Sequence, residues 1–119
     1  MILTQPSFET NPNWSGVRAI LISNLIQTFA PNFTAESILE IGPGSGNLLL
    51  SMKKIYPSAT CFVIDLPSSL PFSAVNILHN YPKAKFLLPD EIVGKDNLLD
   101  YDFVFLRDDQ LALIQDKTI

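Results

Sequence analysis

The segment Ile38-Leu39-Glu40-Ile41-Gly42-Pro43-Gly44-Ser45-Gly46-Asn47 restricts this chain more than any other stretch. Ser37 to Ile41, an apolar run broken only by Glu40, reads as a buried strand. It enters three alternating glycines, and a helix is expected from about Asn47 to Ile55, stopped by Tyr56-Pro57. A chain that leaves a strand and opens a helix here must reverse sharply, which glycine permits, and a ligand can touch backbone where no Cβ intervenes. The spacing is G-x-G-x-G. A dinucleotide fingerprint would want a small residue at Asn47, and no Gly-Lys-Ser or Gly-Lys-Thr follows to form a P-loop.

The flanking pattern alternates strands with helices. Residues 1–14 mix Pro6, Pro12, Asn11 and Asn13 with isolated apolar residues and read as an irregular arm, leaving 15–119 as the folded domain. From Ser15 as N-cap, Val17, Leu21, Ile22, Leu25, Ile26 and Phe29 recur at helical spacing and predict an amphipathic helix ended by Ala30-Pro31. Ala59 to Ile64 is a second strand, closed by Asp65. A third helix follows Pro67 to Pro71, with Phe72, Val75, Leu78 and His79 on one face, and stops at Tyr81-Pro82. Lys85 to Leu88 and Tyr101 to Leu106 complete four candidate strands, separated by a polar loop, and Asp108 to Ile119 holds at most one or two helical turns. This order predicts an α/β doubly wound, mainly parallel sheet.

The second strand delivers its carboxylate nineteen residues after Gly46. At that place Asp65 can accept hydrogen bonds from both hydroxyls of a ribose. Glycine turn and acid together fit an adenosine ligand better than either alone. A glycine turn can also be only a tight connection, and Asp65 only a cap for the Ser68 or Ser69 amide.

Glu40-Ile41-Gly42-Pro43-Gly44-Ser45-Gly46, followed by Phe62-Val63-Ile64-Asp65-Leu66-Pro67, resembles motif I and the next acidic motif of class I S-adenosylmethionine-dependent methyltransferases. The resemblance implies a Rossmann-like sheet in which Glu40, Gly42, Pro43, Gly44, Ser45 and Gly46 lie under the methionine part of S-adenosyl-L-methionine. It implies that Asp65, with Leu66, holds the ribose. By position after the third strand, Pro89-Asp90-Glu91 matches the loop that approaches the adenine, with Asp90 as the candidate contact. Asp65-Leu66-Pro67, the proline-punctuated third helix and Tyr101 to Leu106 are also similar to the sugar O-methyltransferases of that class, which implies a small-molecule acceptor with a sugar hydroxyl as its example. A sulfonium and an ammonium without phosphate suit an acidic site holding Glu40 and Asp65.

Composition bounds the alternatives. With 47% hydrophobic and 17% charged residues, the 119-residue chain is one packed domain. A net charge of −4 supplies no basic footprint for nucleic acid. Cys61 is the single cysteine, so neither an internal disulfide nor a thiolate metal site is expected, and a cytoplasmic location follows as the default without a signal peptide or a membrane span. His79 has no evident partner and receives no catalytic role; Trp14 reads as a staple or core contact. Asp90, Glu91, Asp96, Asp100, Asp102, Asp108 and Asp109 read as a solvated acidic face.

The resembled family has seven strands, so four candidates imply the amino-terminal half of the domain, holding the cofactor but not most of the acceptor site. If Tyr101 to Leu106 is the fourth strand, order 3-2-1-4 leaves Phe103 to Leu106 on an open edge; if it is the third, Lys85 to Leu88 belongs to an insertion. Either arrangement predicts an exposed apolar edge and a homo-oligomer, most simply a two-fold dimer. A non-catalytic oligomeric interaction domain is the competing reading of the same residues.

Overall fold

The computed structural model describes residues 2–4 and 12–114, with side chains from residue 16 onward. Five parallel strands form one sheet: β1 (Ile2–Thr4), β2 (Ser37–Ile41), β3 (Thr60–Asp65), β4 (Phe86–Leu87) and β5 (Phe103–Arg107). Their spatial order is β1-β2-β3-β5-β4. Three α-helices intervene: α1 (Pro12–Phe29), α2 (Asn47–Ile55) and α3 (Leu70–Asn80). The architecture is the expected α/β, Rossmann-like parallel sheet, with five strands among the described residues where four were expected.

The faces of the sheet follow from the order in which strands are added. Each step from β1 to β2, β3 and then β4 moves outward in one direction. Right-handed crossovers then place α1, α2 and α3 on the same face. There Ala19, Leu48, Leu49, Met52 and Ile77 pack on Ile38, Cys61, Val63, Phe103 and Phe105. The step from β4 back to β5 reverses direction, so its connection crosses the other face. Ile92 and Leu98 of that connection, with Ile114 beyond β5, cover Leu39, Phe62, Ile64, Val104 and Leu106. Because β3 and β5 are covered on both sides, Thr60 to Ile64 and Phe103 to Leu106 are all buried. That is why both read as unbroken apolar runs.

Several expectations are corrected here. The segment expected to be an irregular arm contains β1, paired with Leu39 to Ile41 of β2, and the first helix starts at Pro12, where a proline needs no amide partner, not after Ser15. Residues 5–11 and 115–119, and the side chain of Trp14, lie outside the described residues. Of the two places weighed for Tyr101 to Leu106, the structure shows the second: the segment is the strand next to β3 and not a fourth strand beside β2. Its β5 part pairs with β3 from Cys61↔Phe103 to Asp65↔Arg107, and with β4 on its other side. Phe103 to Leu106 are therefore interior, and the predicted open apolar edge does not exist at these residues. On α3 the buried residues are Leu70, Ser73 and Ile77, whereas Phe72 and Val75 point to solvent, so the expected face is rotated. The α1 face is split: Ile22 packs inward with Ala19, while Val17, Leu21, Leu25 and Phe29 are exposed.

The amino end of the sheet is tied by polar contacts. Lys53, 5% exposed on α2, donates to the Ala59 carbonyl and to Asp102 Oδ1 at 3.3 Å. Asp102 Oδ2 accepts the Lys85 amide at 2.9 Å, so this carboxylate belongs to the frame and not to a solvated face. The Thr60 hydroxyl donates to the Tyr101 carbonyl at 2.6 Å. Among the described residues, no helix is long and apolar enough to cross a membrane.

Cys61 is wholly buried in β3, and desolvation pushes its thiol up to about 12 from 9.0. The native thiol should therefore be unreactive toward maleimide at pH 7.5 and become labelled only in denaturant. The raised value also fixes a pH slope: the unfolded thiol ionises first, so this contribution to stability is present below pH 9 and lost as pH rises toward 12. Urea midpoints measured from pH 8 to 11 should fall, and a flat profile in the wild type would contradict the burial.

Candidate binding site at the carboxyl end of the sheet

Residues at the carboxyl ends of β2, β3 and β5 meet where no helix closes the sheet. The connection leaving β3 goes to the helical face, and the one leaving β5 goes to the other. Adjacent strands whose connections diverge leave a crevice above their ends, which is where open α/β sheets bind ligands.

The glycine turn borders this region. Gly42, Gly44 and Gly46 adopt φ values of 66°, 61° and 86°, and no non-glycine residue among those described has a positive φ. Each therefore occupies a conformation that costs an L-residue roughly 1–2 kcal/mol. Their surroundings differ. A Cβ on Gly42 or Gly44 would meet nothing within 4 Å, and both glycines and Ser45 are exposed. A Cβ on Gly46 would stand 2.9 Å from Ile77 Cδ1 and Cγ1 of α3. The first two glycines thus hold open space over bare backbone, and the third permits close packing beneath.

Hydrogen bonds fix the turn from both sides. The Gly42 amide donates to the Ile64 carbonyl at 2.8 Å, prolonging the β2–β3 ladder past the strand end. The Gly46 amide donates to Pro43 and the Leu50 amide to Gly46, which closes the turn and starts α2. Asn76 on α3 reaches across, its Nδ2 donating to the Ser45 carbonyl at 2.7 Å and to Asn47 Oδ1 at 3.0 Å. Asn76 was not anticipated, because its partners lie thirty residues away and no local pattern announces them.

Asp65 is half-buried at the end of β3, with β2 on one side and β5 on the other. Its Oδ1 accepts the Leu66 amide at 2.8 Å, while Oδ2 has no partner among the described residues. The cap anticipated at the Ser68 or Ser69 amide is not made: the Ser69 amide donates to the Leu66 carbonyl at 3.0 Å. Leu66 is 53% exposed beside it. Glu40 is different: it is fully buried, and by strand alternation it lies on the helical side of β2 with Ile38. It contributes to the floor below the turn and offers no surface to the open space. Pro43 is buried within the turn.

Asp90 lies away from this group. It follows β4, and β5 stands between β4 and β3, which separates the ends of β3 and β4 by about 10 Å at two strand spacings. Its Oδ1 accepts from Arg107 Nη1 at 2.9 Å. The strand beside β3 is β5, so the place expected for an acid after the third strand belongs to Asp108 and Asp109, both exposed. Asp109 Oδ1 lies 3.4 Å from Arg107 Nε. Arg107 itself is in register with Asp65 on the neighbouring strand, and the hydrogen bond it donates to Asp90 is the main reason its guanidinium is held further into the charged form. Gln110 braces this corner, accepting the Arg107 amide and donating to the Pro89 carbonyl, both at 2.9 Å. The sequence signal for Arg107 and Asp108 was the one that marked Asp65: a polar residue directly after a buried strand.

His79 is exposed near the end of α3, which runs back toward the amino end of the sheet, so it does not join the group. Among the described residues, no cluster of three or more His, Cys, Asp or Glu side chains is placed to hold a metal ion. Comparison with protein-family models, curated proteins and solved structures finds no match.

The two kinds of glycine should separate by substitution. Gly44→Ala should cost about 1 kcal/mol, the backbone term alone. Gly46→Ala should cost about 2–4 kcal/mol, since the new methyl also displaces the buried Ile77 side chain. Urea titrations would decide this, and equal losses would show that the Ile77 contact does not matter.

Proposed function

We propose that this chain is the S-adenosyl-L-methionine-binding part of a methyltransferase acting, in the complete protein, on a small-molecule acceptor such as a sugar hydroxyl. The observation that carries this reading is the turn itself: three left-handed glycines, two beneath open space, standing beside an acid at the end of the adjacent strand. An adenosine-bearing ligand fits these groups. The exposed backbone of Gly44, with the Ser45 amide and the Gly42 carbonyl beside it, would lie along its amino-acid portion, and Asp65 Oδ2 would accept from the ribose hydroxyls. S-adenosyl-L-methionine supplies an electrophilic methyl group on a cationic sulfur when bound.

The charges agree with a cofactor that lacks phosphate. Asp65 faces the space, and Arg107, the nearest cation by register, is engaged by Asp90 and Asp109. A pyrophosphate would meet the carboxylate without an uncommitted cation to offset it. Methyl transfer requires the acceptor oxygen to be aligned with the sulfur, and catalysis comes largely from that placement. In this reading these groups bind and orient, and none among them is assigned as a general base. Asp108 and Asp109 replace Asp90 as the acids nearest the adenine end.

Calorimetric titration with S-adenosylhomocysteine tests the reading. Binding is expected in the micromolar range, weakened about 10- to 100-fold by Asp65→Ala, in line with loss of hydrogen bonds to a charged acceptor. Asp90→Ala should leave affinity unchanged within about twofold. No heat at millimolar ligand from a folded wild-type chain would overturn the proposal and leave the non-catalytic interaction domain as the better account.

A further inference from the structure

A second recess lies on the helical face at the amino end of the sheet, opposite the glycine turn. It has a volume of about 460 Å³ and opens between the carboxyl ends of α2 and α3. That size suits a small molecule. Pro57, Tyr81, Pro82 and Ala84 form its apolar walls, and the Tyr81 ring is packed on Phe103, 5.5 Å between centroids. Three ammonium groups, of Lys53, Lys54 and Lys83, line it against the single carboxylate of Asp102. An adenosine ligand at the carboxyl end of the sheet uses none of them.

Lys53 is the group that calls for an explanation. A charged side chain only 5% exposed is costly to bury unless its donors are engaged. An ammonium has three N–H donors. Among the described residues two acceptors meet them, the Ala59 carbonyl and Asp102 Oδ1, which leaves one donor at the wall of the recess. Asp102 is spent in the same contacts, since its Oδ2 accepts the Lys85 amide. Lysines in the last turn of α2 suit the dipole of that helix. The dipole does not account for Lys83, which lies beyond the end of α3 and still lines the recess.

We propose that this recess binds a phosphate monoester of a small organic molecule. Three cations against one carboxylate leave a surplus of two. The two helix ends subtract about one charge, and Lys85, bonded through its amide to Asp102, restores it. A phosphate monoester at neutral pH carries close to two negative charges and three acceptor oxygens. Its oxygens would accept from the remaining Lys53 donor and from Lys54 and Lys83 at the rim, and its organic body would lie on Tyr81 and the prolines. Glu36 and Asp100, the other acids at the starts of β2 and β5, are exposed and do not line the recess. Four of the chain's eight Lys and Arg gather at this end although the whole carries −4, so the local field runs against the net charge.

The test is a titration of the full chain, labelled with nitrogen-15, with phenyl phosphate at pH 7.5 and constant ionic strength, followed by amide shifts. Saturating shifts are expected around Lys53 to Tyr56 and Tyr81 to Lys85, with Kd of about 1 mM or below, as two charge-assisted hydrogen bonds imply. Phenyl sulfate has the same shape and one charge fewer, and should bind about fivefold more weakly or worse. Lys54→Ala and Lys83→Ala, both exposed and so harmless to the fold, should each weaken phenyl phosphate about 3- to 10-fold. Lys95→Ala, an equal charge change in the connection across the other face, should leave Kd unchanged. Shifts that never saturate, equal affinity for phenyl sulfate, or equal losses in Lys95→Ala and Lys83→Ala would mean diffuse attraction and overturn the proposal. Equal affinity for inorganic phosphate would overturn the assignment to a monoester.

Discussion

The handedness of parallel crossovers organises this molecule. Once β2 and β3 are laid down in parallel with α2 between them, each further outward step must return its connection over the same face. That rule stacks α1, α2 and α3 on one side of the sheet. It also sends the chain across the opposite side when β5 inserts between β3 and β4. Two apolar layers result from a single sheet, and β3 and β5 become its interior. The same reversal makes the connections after β3 and β5 part in opposite directions, leaving the carboxyl ends of the central strands uncapped.

The glycine turn then converts an opening into a site. Three left-handed positions are unfavourable for any residue but glycine, and the three glycines do not share one purpose. Gly46 is needed by the packing, because Ile77 occupies the volume of its missing Cβ. Gly42 and Gly44 have no such neighbour, so packing does not explain why they lack side chains. A tight connection alone would account for the backbone angles; the open space above two of the three is what a ligand would use. Asn76 and the Gly42 amide hold the turn against α3 and β3, so its free groups are positioned before anything binds.

The strands and the turn were legible because their signals are local. Buried parallel strands announce themselves as apolar runs, and Gly42 to Gly46 and Asp65 are marked by residue type and spacing. What escaped was set by distant contacts. Ile2 to Thr4 is too short to show a pattern, and its strand exists because the edge of β2 receives it. The order of β4 and β5 was left between two arrangements because it depends on which of two apolar segments pairs with β3; the longer one, buried over four residues, holds the interior place. Asp90 was chosen by sequence order, as the acid after Lys85 to Leu88, whereas the strand beside β3 is β5. The face of α1 was illegible for a different reason, since apolar residues surround the helix and their periodicity carries no phase.

The expected surplus of apolar surface is real, but it lies on a helix and not on a sheet edge, and the difference changes what kind of association is possible. An open edge recruits through backbone amides and carbonyls, which any strand can satisfy, so such contacts are promiscuous and tend to continue. A helix has spent its backbone groups internally, and its outer face recruits only through side-chain shape. With Phe103 to Leu106 buried, the apolar run that would have formed an open edge lies instead at the centre of the sheet, where both of its neighbours satisfy its backbone.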